Sequence, residues 1–361
     1  MKINLCGDII PTIDNQHLFE AGDVDALFHD VLPVLQDADF VIGNLEGALT
    51  DKNFPIRKHG PNLKASTKSV LGLKKAGFTH FCLANNHSVD FGPEGLADTI
   101  HTLQQEGIGY TGVGDNDTNS RNICYLEKDG IRVAIVDVCE HEYTYAKKNL
   151  PGANPFDPYT TMFDIQTAKK NASFVIVVYH GGKESCLYPS PRLLTACQAM
   201  VRHGADAVFC QHSHCIGCYE EYLGGKIVYG TGNFCFIKKS YMDDPLWHSG
   251  LMIQLELNKD CKLRFIPVVY KDLGIELAKG NQKEQLMQAF GKRSEELLTD
   301  AWEEGWNAFC HSMVDRYLGT VRKAYAENST ENNRRVFAHY LDCEAHLDVL
   351  HTLCQTWHME K

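Results

Sequence analysis

Short apolar runs rich in Val, Ile and Phe alternate with segments of helical period along the first 214 residues, and the runs end in polar side chains. This alternation is the mark of βαβ units, and it constrains the chain to a mainly parallel sheet with helices on its faces. Strands are predicted at 2–10, 39–47 and 79–87, with helices at 23–38, 66–77 and 92–107 between and after them. Asp129-Gly130 between two β-rich arms predicts a hairpin. The alternation then resumes with a strand at 173–182, a helix at 190–204 and a strand at 206–214. Segments 224–236 and 249–270 read as antiparallel strands that complete or cover a second sheet. The expected fold is α/β: two sheets packed face to face and flanked by helices, an α/β/β/α sandwich.

Beyond about residue 275 strand signals vanish, and 301–326 and 332–358 carry apolar residues at helical spacing. The chain is therefore divided into a domain at 1–275 and a helical C-terminal region at 276–361. Trp302, Trp306 and Tyr317 of that region are expected in its core or at a homodimer contact between C-terminal helices.

With 35 Lys plus Arg against 46 Asp plus Glu, the net charge of −11 argues against broad nucleic-acid binding. It leaves an anionic substrate open, because a divalent cation dominates its local field. No run of about 18 apolar residues and no leader-like start is present, so neither a membrane span nor a signal peptide is expected. Fourteen cysteines scattered through apolar segments fit free thiols in a reducing cytoplasm. Cys215 and Cys218 have CxxC spacing without a second pair, and are expected to be buried thiols.

In open α/β sheets ligands bind where strands end. Asp8 ends the first predicted strand, Asn44 and Glu46 the second, Asn86 and His87 the third, His180 a later one, and His212 with His214 the next. Singly each has a plain structural reading: Asp8 as a turn or cap, Asn86-His87 as an Asx turn, Asp90 as a helix-entry residue, His180 as a hydrogen-bonded strand end. His212 and His214 carry more weight, since residues two apart in an extended chain point the same way. Together these groups imply one shared metal crevice, provided the strands are parallel neighbours. Arg57, Lys58, His59 and Lys64 in FPIRKHGPNLK, with Lys183, are candidates for contacting a carboxylate or phosphate; a solvated loop is the plainer account of that segment.

The ordered set GDII (7–10), GNLEG (43–47), ANNHSVDFG (84–92), HGGKE (180–184), QHSH (211–214) and TGNFCF (231–236) resembles the poly-gamma-glutamate capsule-biosynthesis protein CapA family, itself similar to calcineurin-like metallophosphoesterases. The resemblance spans residue 1 to about 270. It implies one or two divalent ions (Mn, Fe or Zn) held by Asp8, Asn44 or Glu46, Asn86, His180, His212 and His214. It also implies His87 as general acid oriented by Asp90, with Glu184 and Asn233 at further polar positions, Glu184 as a catalytic group and Asn233 as a substrate contact. Four departures bear on this: the second motif reads Asn44-Leu45-Glu46 where the phosphoesterases carry an aspartate, the Gly-His-His-Pro-His form of the CapA pattern reads Cys210-Gln211-His212-Ser213-His214, and two more concern residues 8–10 and 181. The phosphoesterase Asp-x-His start reads Asp8-Ile9-Ile10, removing one histidine ligand, and Gly181 stands where the CapA pattern has tryptophan. The expected activity is metal-dependent hydrolysis or transfer on an anionic small molecule or polymer. The alternative is an accessory protein of envelope or capsule assembly that binds an acidic polymer or its precursor without turning it over.

Overall fold

The computed structural model describes residues 1–356. Its larger sheet runs, edge to edge, Gly274–Leu277, Cys261–Lys271, Ser249–Leu257, Lys2–Ile9, Phe40–Leu45, His80–Cys82 and Gly109–Thr111. From Lys2–Ile9 to Gly109–Thr111 neighbouring strands are parallel, in register Asp8 to Asn44 and Asn44 to Cys82. The second sheet runs Ile216–Tyr222, Gly225–Thr231, Ala207–Gln211, Phe174–His180, Ile131–Cys139 and Cys124–Lys128, with its four central strands parallel. Ile3, Leu5, Ile42, Ile253 and Leu255 of the first sheet pack against Ile135, Ile176, Val178, Phe209 and Val228 of the second, and all are buried. Helices cover both outer faces, so the expected α/β/β/α sandwich is the architecture found. Residues in both sheets face apolar neighbours on two sides, which is why the strands read as nearly unbroken apolar runs.

Several segments differ from the sequence reading. The helix predicted over 23–38 is broken into Val24–Phe28, a 3₁₀ turn at His29–Val31 and Leu32–Gln36. His29 takes a positive φ of 39°, and Pro33 cannot supply the N–H that a continuous helix needs. The Ser249–Lys271 hairpin joins the first sheet, beside Lys2–Ile9, and Gly225–Thr231 lies parallel to Ala207–Gln211 because an unanticipated strand, Ile216–Tyr222, makes the return. The strand predicted over 79–87 stops at Cys82. There the backbone turns to the other sheet: the N–H groups of Leu83 and Ala84 each donate to the Asp137 carboxylate at 2.9 Å. The Asp129-Gly130 hairpin forms as anticipated, both residues having positive φ.

After Leu277 the chain is helical: Gly280–Glu296, Ala301–Ser312, Val314–Tyr325, Glu331–Asp342 and Glu344–Thr356. Residues 357 and 358 of the predicted helical stretch lie outside the described residues. Trp306, Cys310, Tyr317, Tyr340, Val349 and Leu353 form a core of their own, joined by Cys186 from the loop after Phe174–His180. That core seats the helices over the strand ends. Trp302, Trp306 and Tyr317 are all buried inside the chain. All fourteen cysteines are free thiols, Cys215 and Cys218 among the buried ones. No helix among the described residues is long and apolar enough to cross a membrane.

Candidate metal centre

The strand ends converge. Gly7 permits the first contact: a Cβ there would sit 2.2 Å from the Gly232 carbonyl oxygen, so only glycine lets Asn233–Cys235 pair alongside and bring Asn233 level with Asp8. Glu46 follows the second strand, is fully buried, and among the described residues neither carboxylate oxygen has a hydrogen-bond partner. On one side its Oε1 lies 3.7 Å from His214 Nε2, while Asp8 Oδ2 lies 3.5 Å from His214 Nδ1. On the other side Oε1 lies 3.7 Å from His180 Nε2, which is also 3.0 Å from Asn86 Oδ1. His212 closes this second group, and its Nδ1 is buried without a partner. One carboxylate thus stands between two sets of donors, Asp8 with His214 and Asn86 with His180 and His212.

A buried carboxylate with no hydrogen bond is costly unless something cationic meets it. Burial first, then the negative charge of Asp8, pushes the Glu46 carboxyl well above its ordinary value. Burial likewise raises Asp8 and lowers His180 and His214. The imidazoles are therefore biased towards their neutral, ligating form. Oxygen and imidazole donors of this mix fit Mn, Fe or Zn, so the residues present suit a divalent ion.

His212 and His214 do not reach the cluster by the extended alternation expected of them. The strand ends at Gln211, and both histidines take left-handed backbone, φ 83° and 53°, which costs a non-glycine residue about 1–3 kcal/mol and marks functional sites. Asn44 is placed behind the ligands. Its Nδ2 donates to Asp8 Oδ1 at 2.7 Å, and its Oδ1 accepts from Asn85 at 3.1 Å, so both ends of the amide are engaged in holding other residues. Asn233, expected as a substrate contact, turns its Oδ1 to His214 Nδ1 at 2.9 Å. That bond leaves His214 Nε2 facing Glu46, the outer support metal-binding histidines commonly have.

His87 and Asp90 come together as anticipated, Nδ1 to Oδ2 at 2.6 Å, with His87 Nε2 4.0 Å from Glu46 Oε1. Burial, then the Lys58 ammonium, lowers the His87 value against the opposing pull of Asp90. Lys58 itself is buried and ion-paired with Asp90 at 2.5 Å. Glu184 lines the crevice, and Lys183 beside it holds its carboxyl well below the usual carboxylate range. Lys183 is buried and spent on that contact, 3.2 Å away. Two predicted substrate contacts lie elsewhere: Arg57 is exposed and paired with Glu331 at 3.0 Å, and Lys64 reaches the Lys52 carbonyl. Of the same stretch, Lys58 and His59 line the crevice.

The crevice, about 510 Å³, has walls that the strand-end pattern did not reveal. Phe236, Tyr241 and Trp247 form an aromatic side, with Trp247 4.3 Å from the His214 ring. Arg316, His339 and His346 of the C-terminal helices and Glu142 of the loop after Ile131–Cys139 complete it. Gly181 also finds its reason here. A side chain at that position would meet the Tyr179 ring at 2.5 Å and the Glu140 carboxyl at 2.6 Å. Glu140 in turn binds Arg192 and the Ala345 N–H, fastening the last helix over the site.

Residues 2–238 match the model of the bacterial capsule synthesis protein PGA_cap family. The capsule biosynthesis protein CapA of Bacillus anthracis is 33% identical over 65% of this chain and 60% of its own length. The PGA biosynthesis protein CapA of Bacillus subtilis is 31% identical over 73% of this chain and 70% of its own length. A Mycobacterium tuberculosis protein named "Probable polyglutamine synthesis accessory protein" is 28% identical over 56% of this chain and 58% of its own. Among solved structures, a 5'-nucleotidase of Candida albicans shares 10% identity at a TM-score of 0.43, covering 87% of this chain and 58% of that one. With two thirds of its residues inside the family model and every quoted motif folded to one crevice, the chain belongs to the bacterial capsule synthesis PGA_cap family.

Proposed function

We propose that this chain is a metal-dependent hydrolase or transferase acting on an anionic substrate of capsule or poly-gamma-glutamate synthesis. The observation that carries the reading is Glu46, a fully buried carboxylate without a hydrogen-bond partner among the described residues, set between two donor groups. Asp8, Glu46 and His214 would hold one ion, and Glu46, Asn86, His180 and His212 a second. Such ions, when bound, lower the pKa of water towards neutrality and stabilise negative charge on a reacting oxygen.

The remaining chemistry falls to the chain's own residues. Asp90 accepts from His87 Nδ1, so Nε2 is the nitrogen turned to the crevice. An anionic group arriving there raises the affinity of Nε2 for a proton and readies it to protonate a leaving oxygen. Glu184, kept ionised by Lys183, accepts rather than donates protons. Arg316 lines the crevice and, among the described residues, has no carboxylate within ion-pair distance; its Nε donates to the Tyr340 hydroxyl at 3.3 Å. It is a natural anchor for a carboxylate or phosphate. The aromatic side of the crevice excludes water and accepts an apolar portion of the ligand.

The accessory reading has its own support: Ile10 replaces a histidine ligand and is buried in the apolar core, and one relative carries an accessory name. The deciding experiment is metal analysis of the purified protein, followed by assays with added Mn on phosphomonoesters, phosphodiesters and gamma-glutamyl peptides. Stoichiometric metal with turnover of one class, lost in His212→Ala, supports the enzyme. Absence of both metal and turnover supports the binder.

A further inference from the structure

We propose a second, separate cation site, built by the C-terminal helices: Glu142, His339 and His346 bind a first-row divalent ion at the roof of the crevice. Glu142 follows the Ile131–Cys139 strand, His339 lies on Glu331–Asp342 and His346 on Glu344–Thr356, and both histidines are buried. One donor atom from each falls within 4.8 Å of the other two. His339 Nε2 stands 3.3 Å from Glu142 Oε1. That matches the edge of a tetrahedral ligand shell, about 3.3–3.4 Å for bonds of about 2.0–2.1 Å.

The surroundings select the ligating nitrogens. The Tyr317 hydroxyl lies 2.6 Å from His346 Nδ1, which leaves Nε2 for an ion and gives the imidazole the outer hydrogen bond typical of metal-bound histidines. Both rings are clamped by stacking, His346 on Tyr340 at 4.4 Å and His339 on Tyr143 at 4.4 Å. Of the positive charges nearby, Lys183 is paired with Glu184, while Arg316 is held through its Nε by the neutral Tyr340 hydroxyl and keeps its charge for an anion. Two imidazoles and one carboxylate with a side open to a cavity form a donor set suited to Zn, Mn or Fe, with room for a ligand of the ion's own.

The second oxygen of Glu142 lies 3.3 Å from His212 Nε2, so this carboxylate serves both sites: it binds one ion and steadies a ligand of the other. An ion here would pin two C-terminal helices to the sheet end and couple the roof to the centre beneath. His339 and His346 lie beyond the residues that match the family model, so two of the three donors come from this chain's C-terminal region. It stands whether or not the crevice turns over a substrate.

The test uses full-length protein, stripped with EDTA and reloaded with zinc. Metal content is measured in the wild type, Glu46→Gln, His346→Ala and Tyr317→Phe, alongside anomalous diffraction at the zinc edge from wild-type crystals. The expected results are an anomalous peak bounded by Glu142, His339 and His346, one equivalent lost in His346→Ala, and that equivalent retained in Glu46→Gln. Tyr317→Phe, which removes only the supporting hydroxyl, is expected to weaken zinc at this site by about 10-fold. Absence of a peak there at saturating zinc overturns the proposal whatever the occupancy beside Glu46, and so does unchanged content in a folded His346→Ala.

Discussion

Replacing Glu46 by Gln isolates the carboxylate on which the metal reading turns. In metal-free protein, burial and the Asp8 charge raise its value above that of the unfolded chain. From about pH 4.3 upward, therefore, the folded protein holds a proton that the unfolded chain has released. The slope of stability with pH is 2.303RT times the protons bound unfolded minus those bound folded, here negative. Glu46 thus contributes stability that is fully present below about pH 4.3 and is lost as pH climbs through its folded value. One proton corresponds to about 1.4 kcal/mol per pH unit. The lowered His180, His87 and His214 slope the other way, their contribution lost as pH falls below about 6.5. They are present in both proteins, so they cancel in the difference. Urea unfolding in EDTA at pH 5, 6, 7 and 8 should show the wild type losing up to about 1.4 kcal/mol per unit relative to Glu46→Gln. Saturating Mn or Zn should turn the comparison round, adding about 2.7 kcal/mol to the wild type at 100 times Kd and less to the variant. A wild-type-minus-variant difference that is flat in EDTA from pH 5 to 8 would refute the placement of Glu46 as an uncompensated buried carboxyl.

Four further outcomes are expected. His212→Ala should lower bound metal without unfolding the chain, read by metal analysis beside circular dichroism; full metal content would remove His212 from the shell. Lys58→Met should raise the His87 pKa, because the ammonium lowers it while Asp90 raises it, and NMR titration of metal-free protein would show the shift. Arg192→Met should cost about 3–5 kcal/mol, since Arg192 joins buried Glu140 and Asp348 and its loss leaves charge uncompensated; limited proteolysis should then open the C-terminal helices first. Arg316→Ala should raise KM for an anionic substrate about 10-fold, about 1.4 kcal/mol, with kcat little changed, and a loss confined to kcat would contradict its role as an anchor.

What the sequence discloses here depends on whether a residue's position is set by its own strand or by a distant partner. Asp8, Glu46, Asn86 and His180 sit at or just past the ends of buried parallel strands, and a parallel sheet carries such ends to one edge, so their convergence is legible from alternation alone. His212 and His214 are legible as candidates but not in their manner of arrival, because left-handed backbone at His212 and His214 leaves no periodic trace. The placements of Asn44 and Asn233 are hidden for another reason: an amide beside candidate metal donors reads the same as an amide that is one of them, and only its hydrogen bonds separate the two. Arg57, Lys58 and Lys64 share one polar stretch, yet Lys58 alone of the three turns inward, to meet Asp90 from the start of a helix 32 residues on. Glu142, Arg316, His339 and His346 are the furthest out of reach. Glu142 lies in a loop without periodicity, and the other three lie on helices whose apolar spacing is satisfied by a core of their own; nothing in that spacing says the helices close over a crevice formed some 100–340 residues earlier. The information resides instead in buried pairings such as Glu140 with Arg192 and Arg192 with Asp348, which fix the roof by charge rather than by period. It follows that the C-terminal helices, though outside the family model, wall the candidate crevice: severing Arg192 from Asp348 should change what the crevice binds before it changes the fold of the sandwich beneath.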